Sequence, residues 1–114
     1  MNLFAGIPSP MTACRYHSLV VEAHSLPSSL AVVARDAEGT IMAIADERRC
    51  GYGVQFHPES ILTRYGFRLL ANFLTAAGIP YRRDTVDALD DEVARQATPP
   101  LPHEDPTSGP VVTF

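Results

Sequence analysis

Gly53-Val54-Gln55-Phe56-His57-Pro58-Glu59-Ser60 is a short apolar run that ends in a histidine and a glutamate two residues apart. Val54 and Phe56 alternate with Gln55 as in a strand. Pro58 stops regular structure, since it has no N–H and a fixed φ, and it biases His57 toward an extended conformation. Residues i and i+2 of an extended segment project to the same side, so His57 and Glu59 share one side of a strand end. A carboxylate placed there orients and polarises the imidazole. That is a general base with its orienting group, two of the three parts of a nucleophilic site. In isolation a His-x-Glu pair is commonly a solvated turn. Here it closes an apolar strand and precedes a helix, and the carboxyl ends of strands are where open α/β sheets bind ligands.

Upstream, residues 1–12, with Gly6, Pro8 and Pro10, read as a loop. Arg15 to Glu22 reads as a strand ending in β-branched residues. Leu30–Arg35 and Thr40–Ala45 form a hairpin about the Asp36-Ala37-Glu38-Gly39 turn. Tyr52–Phe56 is the fourth strand, suited to the interior of a sheet covered on both faces. Downstream, Leu62, Tyr65, Leu69, Leu70, Phe73, Leu74 and Ala77 recur at helical spacing and give one apolar face. Ser60 or Thr63 is the candidate N-cap, and Gly78 and Pro80 close the helix. Gly66 weakens it by roughly 1 kcal/mol against alanine and allows close approach to the preceding loop. Asp84–Gln96 is a candidate short acidic helix, and residues 97–114, with five prolines, read as a disordered tail. The fold expected is α/β, the last part of such a domain, with about four strands and one main helix over residues 1–80.

The 114 residues suffice for one modest domain and carry a net charge of −4. No basic surface calls for nucleic acid or an anionic membrane. No run of about 18 apolar residues could span a bilayer, and the N-terminus lacks the basic start of a signal peptide. Cys14 and Cys50 form neither a disulfide framework nor a metal spacing, so a reduced, cytoplasmic setting is expected. His17 and His24 have no carboxylate or thiolate to complete a metal site. Neither metal nor cofactor is implied.

Three segments, Arg15-Tyr16-His17-Ser18-Leu19-Val20-Val21, Gly39-Thr40-Ile41-Met42-Ala43 and Gly53 through Thr63, resemble consecutive landmarks of the class I glutamine amidotransferases. Within that family they are most similar to the glutaminase component of anthranilate synthase and aminodeoxychorismate synthase. The trailing Gly66, Leu69-Leu70 and Asn72-Phe73-Leu74 match the family's last helix, and the resemblance spans roughly residues 4–77. It implies the C-terminal part of a flavodoxin-like domain. It also implies hydrolysis of glutamine by a Cys-His-Glu triad, with ammonia passed to a chorismate-using synthase. By this resemblance His57 is the base, Glu59 orients it, and Ser18 and Leu19 hold the glutamine substrate, largely through the main chain.

The departures are as specific as the match. The family's nucleophile sits in a Gly-x-Cys-x-Gly turn between strand and helix, where small neighbours permit a sharp bend. This sequence has no such motif. Cys14 has no flanking glycine, and Cys50 enters the His57 strand at its far end, roughly 16 Å away over five residues. Both read as ordinary thiols. The N-terminal half and the oxyanion loop are also missing, so the chain is expected to be inactive alone and to need that half from another chain. The alternative is a vestigial, non-catalytic binding subunit.

Overall fold

A computed structural model describes residues 2–14, 19–96 and 111–114. The expected hairpin is present as β2 (Ala31–Asp36) and β3 (Ile41–Asp46), paired antiparallel. Its turn is built by Asp36, whose carboxylate accepts the Glu38 and Thr40 N–H groups at 2.9 Å each, while Gly39 takes φ +86°. This is the side-chain turn chemistry that favours aspartate and glycine there. β4 (Gly51–Val54) adds antiparallel to the other side of β3. Among the described residues it ends the sheet, rather than lying inside one as its apolar run predicted.

The other half of the sheet differs most from the sequence reading. β1 (Met11–Thr12) and β5 (Val111–Thr113) extend it in the order β1-β5-β2-β3-β4. The last residues are therefore not tail. Val112 is fully buried between β1 and β2, and Phe114 stacks on Phe4 with ring centroids 4.3 Å apart. Val111-Val112-Thr113 is a β-branched run that suits a strand, and the surrounding prolines concealed it. Residues 97–110 of the expected tail lie outside the described residues. The first residues, read as a loop, supply core instead: Leu3, Phe4, Ile7 and Met11 are buried with Met42, Phe56 and Leu69. Of the strand expected over Arg15–Glu22, residues 15–18 lie outside the described set and residues 19–22 are irregular, leading to a 3-10 turn at Ala23–Ser25.

Helix α1 (Gly66–Ala76) starts later than its periodicity suggests. Neither Ser60 nor Thr63 caps it; the N-cap is Tyr65, at φ +63° and without a side-chain bond. Its C-terminus follows the sequence signal. Gly78 is at φ +73°, its N–H donates to the Thr75 carbonyl at 3.1 Å, and the Ile79 N–H donates to Leu74 at 2.8 Å. Those two bonds define a Schellman closure. The buried face runs through Gly66, Leu69 and Asn72, whereas Leu62 and Leu70 are exposed. Asn72 donates to the Leu3 and Ala5 carbonyls at 2.7 and 2.9 Å, fastening the helix to the N-terminal turn.

Helix α2 (Arg83–Gln96) occupies the acidic stretch and packs on α1. Its Asp90 carboxylate accepts the Phe67 and Arg68 N–H groups at 3.0 and 2.9 Å. A helix that has no cap of its own thus receives one from a second helix, which satisfies two otherwise orphaned donors. Burial pushes the Asp90 carboxyl above its ordinary range, against the opposing pull of those N–H groups and of Arg68 and Arg64. Arg68 also pairs with Asp87.

Candidate active site

The segment from Phe56 to Tyr65 runs between the end of β4 and the start of α1. Phe56 is buried and anchors it in the core. The next residue pairs with the strand region after β1: His57 and Cys14 form an isolated antiparallel bridge, with the His57 N–H donating to the Cys14 carbonyl at 2.7 Å. The chain then turns through Pro58, and the Ser60 N–H donates back to the His57 carbonyl at 3.2 Å. Ser60 Oγ accepts the Leu62 N–H at 3.1 Å, so its hydroxyl stabilises this turn and not the helix. The Arg64 N–H donates to the Thr12 carbonyl at 2.8 Å, tying the far end of the loop to β1.

Gly66 explains how tightly the loop folds onto the helix. A Cβ at this position would lie 1.8 Å from the Pro58 carbonyl oxygen, well inside any van der Waals contact. The glycine foreseen as a mild helix penalty is what lets α1 start directly against the His57-Pro58-Glu59 turn.

On that frame His57 Nδ1 lies 2.9 Å from Glu59 Oε1, as the extended i, i+2 placement predicted. The Glu59 carboxyl is held below its ordinary range, first by its own backbone N–H and then by the His57 ring. An ionised carboxylate only accepts hydrogen bonds, so Nδ1 carries the proton and the neutral ring has its lone pair on Nε2. The pair is open to solvent, with side chains 46% and 67% exposed. Such an arrangement can accept a proton at Nε2 and stabilise the resulting imidazolium.

Ser18 lies outside the described residues. Leu19 is strongly exposed, and its carbonyl accepts the Gln55 side-chain N–H at 3.4 Å. Cys50 is exposed at φ +52° beyond the far end of β4, with Sγ 3.7 Å from the Ala76 carbonyl. Cys14, by contrast, is directly opposite His57 and only 4% exposed. Spacing along the chain held no sign of that juxtaposition, because a bridge between residues 43 positions apart depends on how the sheet closes. Among the described residues no group of three or more His, Cys, Asp or Glu side chains could hold a metal ion.

The α/β layering, the landmarks and the His-Glu pair at a strand end together define the class. Residues 1–77 match the class-I glutamine amidotransferase family, and the chain belongs to it. Its relatives narrow the kinship. It is 43% identical over 109 residues to anthranilate synthase component 2 of Mycobacterium tuberculosis, a match covering 96% of this chain and 47% of that protein. It is 44% identical over 85 residues to aminodeoxychorismate/anthranilate synthase component 2 of Bacillus subtilis, covering 75% of this chain and 42% of the relative. An aminodeoxychorismate synthase of Streptomyces pristinaespiralis shares 52% identity over 81 residues, 68% of this chain and 11% of that protein. The chain thus spans about half the length of the component 2 relatives. The first of these matches runs past residue 77 and so reaches α2, beyond the family match.

Proposed function

We propose that this chain carries the base-and-orienter portion of a glutaminase that supplies ammonia to a chorismate-using synthase. The observation that carries this reading is the 2.9 Å His57–Glu59 contact on a turn whose backbone is fully built. In the proposed reaction a cysteine thiolate attacks the glutamine side-chain amide, His57 Nε2 takes the thiol proton and returns it to the departing ammonia, and water cleaves the thioester. Glu59 holds the ring in the required tautomer and stabilises its cationic form. Leu19, with Ser18, holds the glutamine. The synthase is of the anthranilate or aminodeoxychorismate kind, as the names of the relatives suggest.

The thiol is supplied by a separate polypeptide portion, the N-terminal half of the domain, so this span alone does not hydrolyse glutamine. Two features support that. Neither cysteine sits in a Gly-x-Cys-x-Gly turn, and the His57–Glu59 pair is solvent-exposed where acyl chemistry benefits from exclusion of water. The test mixes the purified chain with a polypeptide bearing the Gly-x-Cys-x-Gly half of a relative and measures ammonia release from glutamine. Activity in the mixture, absent from either part and lost in His57→Ala, is expected. Hydrolysis by the chain alone that disappears in Cys14→Ser would instead make the thiol opposite His57 the nucleophile. Inactivity of the mixture in spite of stable association would favour a non-catalytic binding subunit.

A further inference from the structure

Thr63 is among the most buried side chains in the molecule, at 1% exposure, yet it is polar. Its hydroxyl accepts the Cys14 N–H at 2.9 Å and donates to the His57 carbonyl. These are the two groups that a hydrogen-bonded antiparallel pair would join directly. On one side of the Cys14–His57 bridge the ladder bond is intact, from the His57 N–H to the Cys14 carbonyl at 2.7 Å. On the other side the Thr63 hydroxyl stands between donor and acceptor. A buried hydroxyl in this position satisfies the Cys14 N–H, which would be costly to leave unpaired, and gives the His57 carbonyl a second donor beside the Ser60 N–H.

The consequence is geometric. With a direct bond on one side and an interposed oxygen on the other, the Cys14 N–H and the His57 carbonyl must stand farther apart than the directly bonded pair. The next residues, Pro58 and Glu59, then leave the sheet at once. Thr63 is six residues downstream of His57 and three before Gly66, so the same side chain joins the β-bridge to the turn that starts α1. We infer that Thr63 is the positioning residue for His57, its hydroxyl fixing the backbone angle from which the imidazole meets Glu59. This deepens the proposed role of His57 and rests on it, but its measurement needs neither glutamine nor the thiol-bearing half.

The test uses the full chain, ¹⁵N-labelled, in three variants read by NMR. Thr63→Val keeps the shape and removes the hydroxyl, Thr63→Ser keeps the hydroxyl, and Thr63→Cys keeps a weaker donor and acceptor of similar size. In Thr63→Val the Cys14 amide should exchange at least about tenfold faster, as expected for local loss of a hydrogen bond. The His57 Nδ1 resonance should also move as the Glu59 contact loosens. Thr63→Ser should restore both signals. Should Thr63→Val not fold, Thr63→Cys carries the test, with smaller changes of both signals in the same directions. Faster Cys14 exchange with an unmoved His57 ring, in any folded variant, would reduce Thr63 to a structural role and overturn the inference. So would an unchanged Cys14 amide.

Discussion

The two flanks of the Phe56–Tyr65 segment are finished to different degrees. On the inner flank Phe56, Thr63 and Gly66 are buried, and the backbone groups of His57, Ser60, Thr63 and Arg64 have named partners. On the outer flank the His57–Glu59 pair is open to solvent and Ile61 and Leu62 of the same segment expose large apolar side chains, as do Leu19, Val20 and Val54 elsewhere. A close-packed interior leaves few polar groups unpaired, and among the described residues no buried side-chain nitrogen or oxygen lacks a partner. The outer flank has the character of a surface that another polypeptide covers. This chain builds the frame of the site, and on the proposed reading the thiol-bearing half would supply its enclosure.

The inner flank should break most severely at Gly66. Gly66→Ala would force a Cβ into the Pro58 carbonyl, and a loss on the order of 3 kcal/mol should appear as a lowered urea midpoint or failure to fold. An unchanged midpoint would mean that the loop does not rest on α1. Next comes the cap lent by α2. Asp90→Ala orphans the Phe67 and Arg68 N–H groups and should cost about 1–2 kcal/mol. Asp90→Asn should cost less, because it keeps an acceptor and removes a charge that burial disfavours. Equal losses for the two variants, in the same urea titration, would contradict that account.

The outer flank should behave in the opposite way. Ile61→Ser and Leu62→Ser should leave stability within about 0.5 kcal/mol, as is usual for exposed positions, and should weaken association with the thiol-bearing half. A large fall in the stability of the isolated chain would show that these side chains already pack internally. The smallest effect concerns acid. Glu59 has a depressed pKa in the folded chain, so its contribution is present above the ordinary carboxylate range and is lost as pH falls through the folded value, which lies below that range. The Glu59 carboxyl ¹³C resonance should titrate below that of an unpaired glutamate, and His57→Ala should move it back up.

Most of the short-range structure could be read in advance. The hairpin followed from β-branched runs around Asp36 and Gly39, the end of α1 from Gly78, and the facing of His57 and Glu59 from strand geometry and Pro58. Each of those rests on residues within a few positions of one another. The failures have the opposite character. Val111–Thr113 looked like tail because its neighbours are prolines, and Leu3 and Phe4 looked like loop because they have no period. Their burial comes from Phe4 meeting Phe114 and Asn72 reaching Leu3 and Ala5, contacts spanning most of the chain.

The sequence by itself determined the family, the two-residue spacing that puts His57 and Glu59 on one side of the chain, and the lack of a Gly-x-Cys-x-Gly motif in these 114 residues. Those depend on residue type at fixed spacing, which local backbone geometry converts directly into position. Only the tertiary structure decided what holds the pair in place: Thr63 between Cys14 and His57, Gly66 under Pro58, and Asp90 at the start of α1. A hydroxyl, a missing Cβ and a carboxylate do such work only once distant segments are in contact. Burial then makes every unpaired polar group costly and selects the arrangement in which none is left.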